Sequence, residues 1–370
     1  MRTVRRLLYR DILASVAFVA LAFLALFYFI DFVDHLEDVG QRGFGTLDAV
    51  LAAAWELPRH LYELVPIAVL IGTIYSLSRL AQSSEFTILR TGGLGPGRAL
   101  GLLAVLGIGF AVLTVAVGDY AVPFAERQGL LLKARAQGGL KVGGSGAWLK
   151  ERHETPEGER SVSINITGTS AGGGLIGVRI FEFDTDGRLA TRIEAKEGRV
   201  EADGRWRLVD AQLAQWPKAR AEGMPPVQIS RLPEFTWAST LTPDVVAAAV
   251  LPLATMSTIE LWRYSAHLSD QEQSAQRYEI QFWKKALYPL ACLVMVALAL
   301  PFAYLHARAG SVSLKVFGGI MLGIGFVLLN NVAGHIGLLR GWTPWLAAAA
   351  PSILFLLLSL AAFTWLVRYR

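Results

Sequence analysis

Sulfur and charge are both scarce in this chain. Its one cysteine, Cys292, has no second thiol to pair with, so any part lying outside the cytosol folds without a disulfide staple. Charged residues make up 18% of the 370 positions, against about 25% in soluble domains. High hydrophobicity excludes an intrinsically disordered chain, which needs the opposite balance. The 35 basic and 30 acidic residues leave a net charge of +5, dispersed along the sequence, and this excludes the dense basic patch that nucleic acid demands. Catalytic signatures are missing too. There is no G-x-x-x-x-G-K-[ST] phosphate loop; Gly92-Gly-Leu-Gly-Pro-Gly97 lacks the lysine and follows no strand. Gly143-Gly-Ser-Gly146 lacks the G-x-S-x-G spacing of a serine elbow. The six histidines form neither His-x-x-x-His nor Cys–His spacing and no Ser–His–carboxylate set. The expectation is a chain with no catalytic residues, no metal and no cofactor of its own.

What is abundant is apolar. Hydrophobic residues reach 53% and the mean hydropathy is +0.42, more than one water-soluble core can bury. Six stretches lack Asp, Glu, Lys and Arg: Ile12 to Ile30, Leu64 to Ser78, Ala99 to Gly118, Ala286 to Leu305, Val316 to Leu338 and Trp342 to Val367. A membrane-spanning helix needs about 20 apolar residues. The second stretch is short and carries Pro66 and Gly72, so its span borrows Leu61 and Tyr62 and lets Arg79 snorkel. Arg2, Arg5, Arg6 and Arg10 precede the first run, Arg79, Arg90 and Arg98 lie between the second and third, Arg308 and Lys315 between the fourth and fifth, and Arg368 and Arg370 after the sixth. By the positive-inside rule all four clusters are cytoplasmic, which places both termini inside and residues 119–281 outside.

That outer segment is long enough for a domain, and between Gly146 and Ala238 its pattern turns from helical to alternating. Ser161 to Thr167, Gly177 to Phe183, Thr191 to Ala195 and Arg205 to Asp210 read as strands, with Asp186-Gly187 and Asp203-Gly204 as hairpin turns between such runs. Six to nine short antiparallel strands with one apolar face are expected. Ser257-Thr-Ile-Glu260 is a capping box opening an amphipathic helix, and a second helix from about Gln273 runs into the fourth span. The fold class is therefore membrane α-helical with six transmembrane helices and an inserted all-β domain. Its divisions are 1–122 (three spans), 123–280 (β domain with helical connectors) and 281–370 (three spans).

Two local patterns point to function. Asn330, Asn331 and His335 are polar residues inside the fifth span; such groups face a cavity or partner, or else join helices by hydrogen bonds. Gly319 and Gly323 in the same span have the G-x-x-x-G spacing of a close helix contact. Gln82 to Thr91 has the make-up of a short amphipathic surface helix, capped by Ser83 or Ser84, with Phe86, Ile88 and Leu89 beside Glu85 and Arg90. It suits either a docking groove on a cytoplasmic partner or a resting place on lipid head groups.

Several stretches together resemble the LptF/LptG family of lipopolysaccharide export permeases. They are Phe32-Val-Asp34 with Gly40-Gln41; Leu80-Ala-Gln-Ser-Ser-Glu85 with Thr91-Gly92; Gly118-Asp-Tyr-Ala-Val-Pro123 with Glu126; Arg135-Ala-Gln137; Trp237; Leu241-Thr-Pro-Asp244; and Arg277-Tyr278. The resemblance spans essentially the whole chain, and the Phe-Val-Asp and Leu-Thr-Pro-Asp stretches lean toward its LptG branch. It implies a bacterial inner-membrane subunit with a periplasmic β-jellyroll. It also implies an LptF-like second permease, an LptB-like ATPase dimer that carries the ATP and Mg2+, an LptC-like membrane-anchored jellyroll and an LptA-like periplasmic bridge. On that reading Glu85, with Phe86, Leu89 and Arg90 around it, couples to the ATPase. Arg135 matches a cationic position facing lipid A phosphate, with Lys133 its neighbour, and the first and fifth spans line the cavity, which adds Asp34, His35 and Asn331 as substrate-binding candidates. Where relatives often place lysines, this chain has His35-Leu-Glu37-Asp38, so either Arg135 and Lys133 carry the phosphate contact or a divalent cation bridges those acids to it. An LptF-type paralogue, a permease for another amphiphile and a membrane-anchored sensor or scaffold are the alternatives.

Overall fold

The computed structural model describes every residue except 1, 41–43, 84, 86–87, 89–90, 94, 138–139, 142–145, 156–157, 171–173, 202–203, 218–226, 242–244, 247–248, 250–252, 271–274, 305–311 and 369–370. Its helices are α1 (Arg2–Leu36), α2 (Thr46–Gln82), α3 (Pro96–Ala116), which passes through a π-helical turn at Val117–Ala121 into α4 (Val122–Gln137), then α5 (Thr258–Asp270), α6 (Gln276–Tyr304), α7 (Val312–Leu339) and α8 (Pro344–Arg368). Among the described residues, six helical stretches are long and apolar enough to cross a membrane. Each of the six overlaps one of the charge-free runs. Chain contacts separate two compact units: residues 1–37, 53–125 and 276–370 form one, and 38–52 with 126–275 the other.

Helix ends extend well beyond the apolar runs. α2 begins at Thr46 rather than near Leu61 and carries both Pro58 and Pro66, each of which removes one i→i−4 hydrogen bond. The added turns hold Glu56, Arg59, His60 and Glu63, charges that a search for charge-free sequence necessarily skips. Helix packing in this unit follows its glycines. A Cβ on Gly319 would stand 2.7 Å from Ile74 and one on Gly323 2.8 Å from Ile67, so the G-x-x-x-G stripe of α7 is pressed against α2. Gly72 gives α1 the same access, its Cβ position lying 2.6 Å from the Val16 backbone nitrogen.

The second unit holds a seven-stranded antiparallel sheet: β1 (Leu140–Lys141), β2 (Ala147–Thr155), β3 (Gly158–Thr169), β4 (Leu175–Phe183), β5 (Leu189–Val200), β6 (Arg205–Gln215) and β7 (Gln228–Ala238). From β2 to β7 each strand pairs with its sequence neighbour, a meander, and β1 prolongs the β2 edge along β3. Both expected turns are present: Gly187 at φ +73° and Gly204 at φ +82° supply the left-handed conformations that a side chain disfavours.

A crease crosses this sheet. In a regular strand core-facing positions are two apart, yet here successive core rows are three apart on four neighbouring strands. Val178, Ala195, Ala211 and Leu232 pair across β4 to β7 as one row, and Leu175, Gly198, Leu208 and Phe235 as the next. The ladder is interrupted between them. Gly177 (φ +63°) and Asp210 (φ +54°) take left-handed conformations there, and Pro233 on the edge strand has no N–H to offer. The extra residue per strand keeps both rows on one face, where Ile164, Ile180, Trp206 and Leu208 are fully buried. Among the described residues the inserted β domain is thus a single antiparallel meander bent by this crease.

Candidate functional site

The expected coupling segment is helical at Glu85, Ile88 and Thr91, and all three are exposed. The Gly92 N–H donates to the Ile88 carbonyl at 2.9 Å and the Thr91 hydroxyl to the same oxygen at 2.9 Å, closing the last turn. Phe86, Leu89 and Arg90 lie outside the described residues. Nearby in sequence, Arg79 near the end of α2 meets Asp11 in α1 at 2.5 Å.

Lys133 is half-buried and engaged with other groups. Arg135 sits on α4, its side chain outside the description. Both belong to the unit that holds the sheet, whereas Asp34, His35 and Asn331 belong to the other. Asn331 and His335 are exposed on α7, so their shared face is open toward whatever lies beside this chain. Asp34 is exposed at the end of α1.

His35 behaves differently from Asp34. It is 8% exposed and its Nε2 lies 3.2 Å from Glu56 Oε1 on α2. One turn earlier on α1, Asp31 Oδ2 lies 2.8 Å from Nε2 of His60, which is 9% exposed and stacked on Phe27 at 4.7 Å. Arg59 donates to the other Glu56 oxygen at 3.2 Å. Each helix thus contributes a carboxylate and an imidazole four residues apart, Asp31/His35 and Glu56/His60, and the antiparallel helices pair them crosswise. Sequence reasoning singled out His35 alone. The readable signal was Asp-x-x-x-His followed by Glu-x-x-x-His, which a search for paired histidines passes over.

A second buried polar group centres on the π turn. Asp119 in that turn faces Lys285 of α6 at 3.6 Å, and the Lys285 side chain is 9% exposed. Gly118 beside it lets the Tyr62 ring approach so closely that a Cβ would stand 2.4 Å from ring carbon Cε2. Tyr62 packs at a tilt of 36° against Tyr288, ring centroids 4.8 Å apart, and the Tyr288 hydroxyl donates to the Glu63 carbonyl at 2.7 Å. A π turn inside a helix commonly marks a functional position. This one lies in the Gly118-Asp-Tyr-Ala-Val-Pro stretch.

In the sheet unit, a groove of about 440 Å³ follows the crease, lined by Arg179, Glu194, Lys196, Asp210, Gln212 and Arg231. Its charges pair internally: Lys196 meets Asp210 at 2.5 Å and Arg179 meets Glu194 at 3.7 Å. The hydrogen bond and charge of Lys196 hold the Asp210 carboxyl below its ordinary range. Glu151, 1% exposed, accepts from the Ser239 hydroxyl at 2.7 Å and from the Thr240 N–H, pinning the chain that leaves β7 where Leu241 enters the core.

Comparison with known proteins places these features in context. The family model described as lipopolysaccharide export system permease LptF/LptG matches residues 6–366. The chain is 28% identical over 336 residues to the lipopolysaccharide export system permease protein LptG of Escherichia coli (strain K12), covering 90% of this chain and 89% of that protein. It is 24% identical over 359 residues to the protein of the same name from Haemophilus influenzae, covering 96% of each.

Proposed function

This chain belongs to the LptF/LptG family of lipopolysaccharide export permeases, and from that premise we propose that it is the LptG-like subunit of an ATP-driven exporter that lifts lipopolysaccharide out of the inner membrane. The observation that carries this reading is the continuity of the family match through both sets of spans and the intervening sheet. A sensor that shared only the β domain would not match through all six spans.

Both termini and the helical segment around Glu85 lie in the cytoplasm on this reading, and the creased sheet lies in the periplasm. An LptB-like ATPase dimer docks on the exposed Glu85 segment, with Phe86, Leu89 and Arg90 completing the contact, and supplies the ATP and Mg2+. An LptF-like permease encloses the cavity together with this chain, and the open faces of α1 and α7, with Asn331, look into it. Arg135 and Lys133 attract the lipid A phosphates. The β7 edge (Gln228–Ala238) hands the acyl chains toward LptC-like and LptA-like jellyrolls.

Purification of the complex from native membranes in mild detergent, with mass spectrometry of proteins and lipid, tests this reading. It requires an ATPase dimer, a second six-span subunit and lipid A species. A chain that arrives alone with ordinary phospholipid overturns it.

A further inference from the structure

We propose that Asp31, Glu56 and His60 form a binding site for one zinc-class divalent cation that staples α1 to α2. One donor atom from each of these residues lies within 4.8 Å of the others. Tetrahedral zinc, with bonds of about 2.0 Å, separates its donors by about 3.3 Å, so small side-chain rotations close the set on an ion. His35 supplies the outer contact. Its Nε2 at 3.2 Å from Glu56 orients that carboxylate, the service an outer-shell partner gives a metal ligand.

Three further features favour a cation here over two isolated hydrogen bonds. First, the groups come as i, i+4 pairs on antiparallel helices, Asp31/His35 facing Glu56/His60, a spacing that puts both side chains of each pair on one helix face, where they can converge on a metal. Second, the site is sheltered: both imidazoles are less than a tenth exposed, and Phe27 covers the His60 ring at an interplanar angle of 14°. Ionisable groups are expensive in such apolar helices and mark functional places. Third, the charges suit a divalent ion. The carboxylates of Asp31 and Glu56 meet at one place, and a divalent ion balances two such groups.

The donor chemistry selects the metal class. Calcium and magnesium take oxygen ligands, whereas imidazole beside carboxylate suits zinc and its transition-metal neighbours. The site differs from the exposed acids at the end of the first span, since only buried or half-buried groups take part.

Zinc titration against a chromophoric chelator, on the full-length chain purified in detergent and stripped with EDTA, tests the proposal. One zinc per chain is expected, with affinity falling at least tenfold in Asp31→Asn and in His60→Gln and unchanged in His335→Gln, whose imidazole is exposed on α7. Cobalt in place of zinc should give a visible ligand-field band that the first two variants lose. Monodispersity of each metal-free variant separates lost binding from lost folding. Absence of stoichiometric zinc from the folded wild-type chain, or undiminished affinity in both site variants, overturns the proposal and leaves two His–carboxylate hydrogen bonds.

Discussion

At the scale of single residues, glycine shows how one missing methyl group positions a polar site. A Cβ on Gly118 would meet the Tyr62 ring at 2.4 Å, and that ring is also packed against Tyr288, with centroids 4.8 Å apart, which limits its room to retreat. Gly118→Ala should therefore destabilise the chain by about 1–3 kcal/mol, the usual effect of overpacking. Gly109 in α3 has nothing within 4 Å of its Cβ position, so Gly109→Ala should gain about 0.5–1 kcal/mol from helix propensity alone. Thermal unfolding of both variants in the same detergent checks the opposite signs; equal shifts would show that the Tyr62 contact does not resist. Glu151 offers a polar counterpart. Removing its carboxylate strands the Ser239 hydroxyl and the Thr240 N–H, and Glu151→Ala should cost about 2–4 kcal/mol, with unchanged stability ruling out the anchor. Neither contact is legible in sequence, since nothing local to Gly118 or Glu151 names Tyr62 or Ser239. The crosswise set of Asp31, His35, Glu56 and His60 was half legible: the four-residue spacing is visible on each helix, but only folding shows which helix faces which.

Elements were more legible, because caps and turns are local chemistry. The capping box forms as read: the Ser257 N–H donates to Glu260 at 2.7 Å and the Glu260 N–H to the Ser257 hydroxyl at 3.3 Å, while Arg127 of α4 reaches the same carboxylate at 2.5 Å. Partial burial pushes the Glu260 carboxyl up, but the bonds from Ser257 and Arg127 outweigh it and hold the pKa below the ordinary 4.5. The sign follows directly. A depressed carboxylate pKa stabilises the fold fully above the unfolded value, and that contribution is lost as pH falls through the lower folded value. In wild type, then, the α4–α5 contact weakens below about pH 4.5. Glu260→Gln should remove that part of the acid dependence, as read by hydrogen exchange of the α5 amides across the acid range; an identical pH profile in the variant would assign the dependence to other groups. The crease, by contrast, was missed although its trace is in the sequence. Trp206, Leu208, Ala211 and Leu213 step by two, three and two, a spacing that alternation alone reads as the end of a strand at Asp210. Because Asp210 sits at φ +54°, Asp210→Val should cost about 1–3 kcal/mol whereas Asp210→Gly stays within about 1 kcal/mol of wild type. Equal losses in the two, measured by denaturation, would show that the Lys196 ion pair rather than the backbone governs this position.

On the scale of the whole molecule, the six spans were legible because a charge-free run of membrane length has few other uses, and the family resemblance rested on motifs that the match over residues 6–366 bears out. What stayed hidden is where helices continue past their apolar runs. α2 carries Glu56, Arg59, His60 and Glu63 on turns that composition assigns to a loop, and those are the turns that meet α1 and α6. The same logic governs transmission of force. If an ATPase docks on the segment around Glu85, its push enters α2 directly, because Ser83 closes the last turn of that helix on Arg79, its N–H donating to the Arg79 carbonyl at 3.0 Å. Arg79 in turn holds Asp11 of α1. Glu85 is exposed, so Glu85→Ala should leave folding within about 0.5 kcal/mol of wild type while weakening the docking contact. Loss of about 1.4 kcal/mol there is tenfold in occupancy, and lipopolysaccharide release from the reconstituted complex should fall by about that factor with ATP binding to the isolated ATPase unchanged. Arg79→Ala separates contact from transmission: docking persists, but export falls if α1 must move with α2. Wild-type export in Glu85→Ala would remove the coupling role from this segment, and wild-type export in Arg79→Ala would confine the transmitted motion to α2.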